Sequence, residues 1–159
     1  MLTTNLQLGE QQFVVFELNG EAYGVEIGRV QEIDRMQQIT PVPGLPLYVE
    51  GLINLRGKVT PVVNLRARLG LPAAASTSRS RIVVVMSGTT WVGLVVDAVS
   101  QVLRIPAAAV EPPPAMVSLE QTGFLRGVAK LQDQLVLLLD LDQLVYQVVG
   151  LETAEMVSA

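Results

Sequence analysis

The chain has 159 residues, enough for one domain or two very small ones, and carries a net charge of −4 with no histidine and no cysteine. Those absences exclude disulfides, thiol chemistry, imidazole bases and imidazole metal ligands. A pI of about 4.8 also leaves no cation excess for neutralising nucleic-acid phosphates. Half of the residues are hydrophobic and the mean hydropathy is +0.43, so a real core is expected.

No membrane span is expected, because the uncharged stretch 82-IVVVMSGTTWVGLVV-96 is broken by Ser, Gly and two Thr and falls short of the ~20 apolar residues a spanning helix needs. The opening MLTTNLQLGEQQ has neither a basic nor an apolar leader region, so no signal peptide is read and a cytoplasmic address is expected. Residues 1–12 and 150–159 read as flexible tails. The first ordered segment, 13-FVVFEL-18, reads as a strand. An Asn19-Gly20 turn follows, of the kind that tolerates positive φ in a tight hairpin, and 22-AYGVEI-27 returns. Pro41, Pro43 and Pro46 make the next stretch an extended surface connection, and 112-PPP-114 does the same later in the chain.

The second half opens as the first does, with strand 82-IVVVM-86, turn 87-SGTT-90 and strand 91-WVGLVV-96. Aligning Gly20 with Gly88 sets Tyr23 opposite Trp91. One inserted residue then matches Gly24 with Gly93, Val30 with Val99, and Ile33 with Val102. A gapless second match joins 51-GLINLRGKVTPVVNL-65 to 127-GVAKLQDQLVLLLDL-141 at an offset of 127 − 51 = 76 residues. Two copies of one β-rich unit are therefore expected, roughly 13–71 and 80–146, joined by the small-residue linker 72-PAAASTSRS-80. Each should curl into a small barrel and bury an apolar seam against the other, because units of ~65 residues are marginal alone. Asn64 and Asp140 are N-cap types for a short helix after each unit's last strand, and Asp140 to Gln143 resembles a capping box.

Catalytic patterns are absent. Gly51…Gly57-Lys58 has five intervening residues where a P-loop has four, and Val59 stands where Ser or Thr would hold magnesium. Asp140 and Asp142 could do acid–base work, but the repeat partner of Asp140 is Asn64, which caps equally well and cannot exchange a proton. Glu26, Glu32, Arg29 and Asp34 read as solvated charges, and Tyr23 and Trp91 as packing residues. Arg56, Lys58, Arg66 and Arg68 form the basic cluster of the first unit. Arg56 corresponds to Gln132 and Gly57 to Asp133, so the hairpin corner does not demand arginine. A guanidinium fork there suits docking to an acidic partner.

The succession 13-FVVFELNGEAYGVEIGRVQEI-33, Pro43 and 50-EGLINLRGKVTPVVNLR-66 resembles the CheW family of chemotaxis coupling proteins. So do 93-GLVVDAVSQVLRI-105 and 124-FLRGVAKLQDQLVLLLDLDQL-144, and the likeness runs over about 13–146. The resemblance implies a mostly β fold of two five-stranded SH3-like β-barrel subdomains. It implies a non-catalytic adaptor with no cofactor and no metal, coupling the cytoplasmic tips of methyl-accepting chemotaxis receptors to the regulatory domain of the histidine kinase CheA. By motif it places receptor contacts at Val30, Glu32, Arg56, Val99 and Val102, and kinase contacts at Met36, Ile39, Glu111 and Met116. Asn64 stands where the family usually has Asp, and Glu111 and Met116 stand where a basic and an aromatic residue are common. The alternatives are an adaptor of a related twitching or gliding pathway, and a small-molecule sensor using the groove between the barrels.

Overall fold

Runs such as 13-FVVF-16 and 82-IVVV-85 are apolar at every position, the pattern of strands buried on both faces. The computed structural model, which describes residues 9–114, 123–146 and 148, shows why both faces are covered. In β1 (Glu10–Leu18), Val14 and Phe16 face a central core, while Phe13 and Val15 face a second core on the other side of the sheet. In β6 (Arg81–Ser87), Val83 and Val85 face the same central core, and Ile82 and Val84 face a third. The layers therefore run core, sheet, shared core, sheet, core.

The remaining strands are β2 (Glu21–Glu26), β3 (Val30–Arg35), β4 (Val49–Leu55), β5 (Lys58–Asn64), β7 (Thr90–Val96), β8 (Ala98–Pro106), β9 (Val110–Glu111), β10 (Leu125–Lys130) and β11 (Leu135–Leu139). One sheet has the order β8-β1-β2-β11-β10-β9, the other β3-β6-β7-β5-β4. The expectation of five strands each holds for the second. The first gains the two-residue β9, whose counterpart in the other sheet is only the Thr40↔Leu52 bridge.

The sequence units 13–71 and 80–146 do not coincide with the sheets. The β1–β2 hairpin leaves its own half to pair with β8 and, in parallel, with β11, while the β6–β7 hairpin pairs with β3 and, in parallel, with β5. The halves exchange hairpins because each needs cover for the second apolar face of its strands. Nor is the expected tail 1–12 wholly a tail, since Glu10, Gln11 and Gln12 already pair with Pro106, Ile105 and Arg104. Residues 150–159 and 1–8 lie outside the described residues.

The repeat explains three paired features. Gly51 and Gly127 both sit at a register shift, where the neighbouring chain passes too close for a side chain. A Cβ on Gly51 would lie 2.1 Å from the Thr40 carbonyl oxygen, and one on Gly127 would lie 2.7 Å from Val110 Cγ1. Asn64 caps helix α1 (Leu65–Arg68) by accepting from the Ala67 amide at 3.1 Å. Asp140 does the same for helix α2 (141–146) through the Gln143 amide, also at 3.1 Å, so Asn64 costs the fold nothing. The Asn64 amide donates to the Tyr48 carbonyl and the Asp140 amide to the Phe124 carbonyl, again 76 residues on. The match of Tyr23 to Trp91, however, is off by one residue. Gly24 and Gly93 are the equivalents in the parallel ladders, which aligns Tyr23 with Val92; both face the central core, whereas Trp91 packs on the third core.

Arg68 fastens the halves together. Its guanidinium lies 4.3 Å from the Tyr48 ring centre and 4.7 Å from that of Phe124, and its Nε donates to the Leu144 carbonyl at 2.9 Å.

Candidate docking surfaces

Strands β3 and β8 each end a sheet, as β4 and β9 do at the opposite ends, and each pairs along one edge only. Each pairs through a register shift that adds one residue: Gln31 in β3, between Val30↔Val85 and Glu32↔Val84, and Ser100 in β8, between Val99↔Phe16 and Gln101↔Val15. The Ser100 hydroxyl donates to the Val15 carbonyl at 3.0 Å inside its bulge. The extra residue sets side chains three apart on one face. Val30 and Ile33 thus stand opposite Val85 and Val83, on the central-core face, and Val99 and Val102 stand opposite Phe16 and Val14, on the same face of the other sheet.

Val30 and Val99 pack against the shared core. Ile33 and Val102 remain 42% and 49% exposed, large for aliphatic side chains on ordered strands. Of the expected receptor residues, Val30, Val99 and Val102 therefore flank one core. Ile33 shares that face and is the repeat partner of Val102.

Glu32 and Arg56 form a separate feature. Glu32 stands opposite Val84, so it projects from the other face of β3. Arg56 reaches it from the β4–β5 turn, with Nε 3.2 Å from Glu32 Oε2. The structure joins these two residues to each other but sets them across the strand from the valines. Glu32 is raised above the ordinary carboxylate range, chiefly by the hydrogen bond it shares with Asp34, then by burial and by Asp34's charge; Arg56 opposes this. Asp34 Oδ2 is buried and has no hydrogen-bond partner. Arg56 thus caps a crowded pair of carboxyls while its own side chain remains 76% exposed.

The backbone of the turn bears on Arg56 too. Arg56 and Gly57 have φ of 54° and 81°, almost the 52° and 81° of Asn19 and Gly20. Asparagine and glycine suit that left-handed conformation, and arginine does not. Among the described residues, Asn19 and Arg56 alone of the non-glycines have positive φ, so the Gln132-Asp133 turn is of another kind. The structural control for Arg56 is Asn19, and by that control the turn accepts arginine at a cost.

Of the expected kinase residues, Met36 and Ile39 pack with Trp91 and Val95 over the third core, where Lys58 Nζ lies 4.8 Å from the Trp91 ring centre. Val59 is exposed nearby. Glu111 is exposed at the far end, where β9 pairs with β10 at Val128. Met116 lies outside the described residues.

The candidate acid–base carboxylates are engaged in other roles. Asp140 caps its helix, and Asp142 is held below the usual carboxylate range by the Ser87 hydroxyl and by Arg29, against some burial. Among the described residues no group of three or more His, Cys, Asp or Glu could hold a metal ion, and no helix is long and apolar enough to cross a membrane.

Two twisted sheets around a shared core, apolar side chains left open on their edge strands and an arginine on a disfavoured turn define a protein-docking module. The CheW-like domain family model matches residues 12–149. The chain is 38% identical to the chemotaxis protein CheW of Rhizobium meliloti (strain 1021), over 87% of this chain and 89% of that protein. It is 33% identical to that of Bacillus subtilis (strain 168), over 87% and 88%. It is also 35% identical to protein FrzA of Myxococcus xanthus, over 66% of each. The scaffolding protein TtCheW from Thermoanaerobacter tengcongensis superposes with a TM-score of 0.78 at 38% identity, covering 84% of this chain and 86% of that one. The chain belongs to the CheW-like family of chemotaxis adaptors, and its two sheets are the two SH3-like subdomains of that fold.

Proposed function

We propose that this protein is a non-catalytic, cytoplasmic adaptor that couples the tips of methyl-accepting chemotaxis receptors to the regulatory domain of the kinase CheA, and so reaches membrane arrays only through the receptors. The observation that carries the reading is the matched pair of open edge strands, Val30 and Ile33 on β3 and Val99 and Val102 on β8, flanking one core. A receptor helix would bury its apolar face there, the usual mode by which an amphipathic helix is taken up by a groove. Glu32 and Arg56, around the edge of β3, would engage the helix's polar flank and set its register.

The kinase would dock at the sheet ends, with Met36 and Ile39 beside Trp91 on one and Glu111, with Met116, on the other. Glu111 would select a basic partner residue there. The lack of catalysis is supported by the engagement of Asp140 and Asp142 in capping and ion pairing. A related twitching or gliding pathway is the second reading, favoured by the likeness to protein FrzA. Co-sedimentation with a receptor cytoplasmic fragment and with the kinase tests the proposal: capture by both is expected, and capture by neither overturns it.

A further inference from the structure

Outside these surfaces, the linker that joins the two halves is more ordered than a run of small residues requires. Residues 77–80 form a closed turn: the Ser80 amide donates to the Thr77 carbonyl at 3.1 Å, the Thr77 amide to Ser80 Oγ at 2.9 Å, and the Arg79 amide to Thr77 Oγ1 at 3.1 Å. Arg81 reinforces it, its Nη1 donating to the carbonyls of Ser78 and Ser80 at 2.9 and 2.8 Å. This turn walls a cleft of about 390 Å³ lined by Arg35, Met36, Thr77, Ser78, Ser80 and Arg81.

The charges in that cleft are anomalous. Arg35 and Arg81 are direct partners on adjacent antiparallel strands, a placement in which like charges destabilise the sheet. Arg29, Arg56, Arg66, Arg79, Arg104 and Arg126 each reach a carboxylate, and Arg68 is satisfied by rings and carbonyls. Among the described residues, the Arg81 guanidinium meets carbonyls alone and the Arg35 side chain makes no hydrogen bond or ion pair. A chain of net charge −4 has thus set two arginines that meet no carboxylate side by side in one cleft, beside the exposed Ser78.

We propose that this cleft binds a phosphate group, either as free inorganic phosphate or carried on a small molecule. Guanidinium forks match tetrahedral oxyanions with paired N–H donors, and a dianion between Arg35 and Arg81 converts a repulsive cross-strand pair into a bridged one. The turn holds one fork in place before the ligand arrives, and Ser78 supplies a neutral donor at the rim. The cleft exceeds what phosphate alone would fill and lies within the range of small-molecule pockets, which leaves room for an attached group. Met36 lines the cleft and is itself one of the proposed kinase contacts, so an occupied site would abut that face. The binding proposal itself does not depend on the adaptor reading.

The test is a titration of the full chain with sodium phosphate, and separately with a nucleoside triphosphate, at constant ionic strength, following the amide resonances of residues 35 and 77–81. Saturable shifts confined to these residues are expected with at least one ligand. Saturation by phosphate identifies the free anion as sufficient, and saturation by the nucleotide alone identifies a carried phosphate. Arg35→Gln should weaken binding at least tenfold and leave the ligand-free melting temperature unchanged or higher, since the Arg35 side chain makes no bond in the fold. Linear drift with both ligands, or undiminished affinity in Arg35→Gln, would overturn the proposal.

Discussion

Replacing Arg56 by asparagine separates what the turn needs from what a partner needs. Arg56 has a φ of 54°, and an L-residue in that region forfeits roughly 1 kcal/mol relative to its ordinary conformations. Asparagine recovers most of that, as Asn19 does in the like turn between β1 and β2. Against the gain stands the Glu32 contact at 3.2 Å, which involves an arginine 76% exposed and so contributes about 0.5 kcal/mol. Arg56→Asn should therefore be neutral or stabilising by about 0.5 kcal/mol, a rise of roughly 1–2 °C in melting temperature for a chain of this size. Arg56→Val, which places a β-branched residue at positive φ, should lower stability by about 1–2 kcal/mol. Both should weaken receptor-fragment binding about tenfold, the loss of one charge-assisted contact. Thermal melts of the three proteins, with binding isotherms at one ionic strength, decide the matter. A fall of more than about 3 °C in Arg56→Asn would refute the reasoning, because the arginine would then be a structural residue.

Backbone crowding ranks the two bulge glycines. Gly51→Ala drives a Cβ into the Thr40 carbonyl at a φ of 148° and should cost about 3 kcal/mol or more, while Gly127→Ala meets first the movable Val110 side chain and should cost about 1–2 kcal/mol, both read by urea denaturation. Arg68→Leu removes two ring contacts and leaves the Leu144 carbonyl unmatched, a loss of about 2–4 kcal/mol that Arg68→Lys should restore by less than half. Asp97 accepts both arms of Arg66, at 2.9 and 2.7 Å, and the Asn19 amide at 2.8 Å. The Arg66 fork, aided by Asn19 and opposed by burial, holds Asp97 below its ordinary value. Its contribution is thus complete above the unfolded pKa of about 3.9 and disappears as pH falls through the lower folded value. Asp97→Asn should be less stable at pH 7 and lose less stability on acidification below about pH 4, as measured by melts across pH.

The local grammar of the chain was legible where it was written in adjacent residues. Asn19-Gly20 announced its hairpin, Asn64 and Asp140 announced their helices, and the 76-residue offset between Gly51 and Gly127 marked two bulges with one backbone cause. The exchange of hairpins was not legible, because it rests on the parallel ladders β2–β11 and β5–β7, whose partners lie far apart in sequence. Apolar runs say that both faces are covered and not by which strand. The same limit misassigned Trp91, since a one-residue slip in a hairpin sends a side chain to the opposite face. Of the proposed site residues, the motif named Val30, Val99 and Val102, and the structure sets Ile33 on the same face beside Val30. The conformational cost at Arg56 could not be read from sequence, since Arg-Gly turns of more than one type exist.

The account rests on the open faces of β3 and β8 as the receptor site, and the most direct measurement is the binding of receptor fragment and of kinase to the double variant Ile33→Ser, Val102→Ser. Both side chains are nearly half exposed, so the fold should tolerate the change. Losing two apolar anchors should weaken receptor binding about a hundredfold and leave kinase binding within about twofold of the parent. Unchanged receptor affinity in the folded variant, or an equal loss of both partners, would contradict the account.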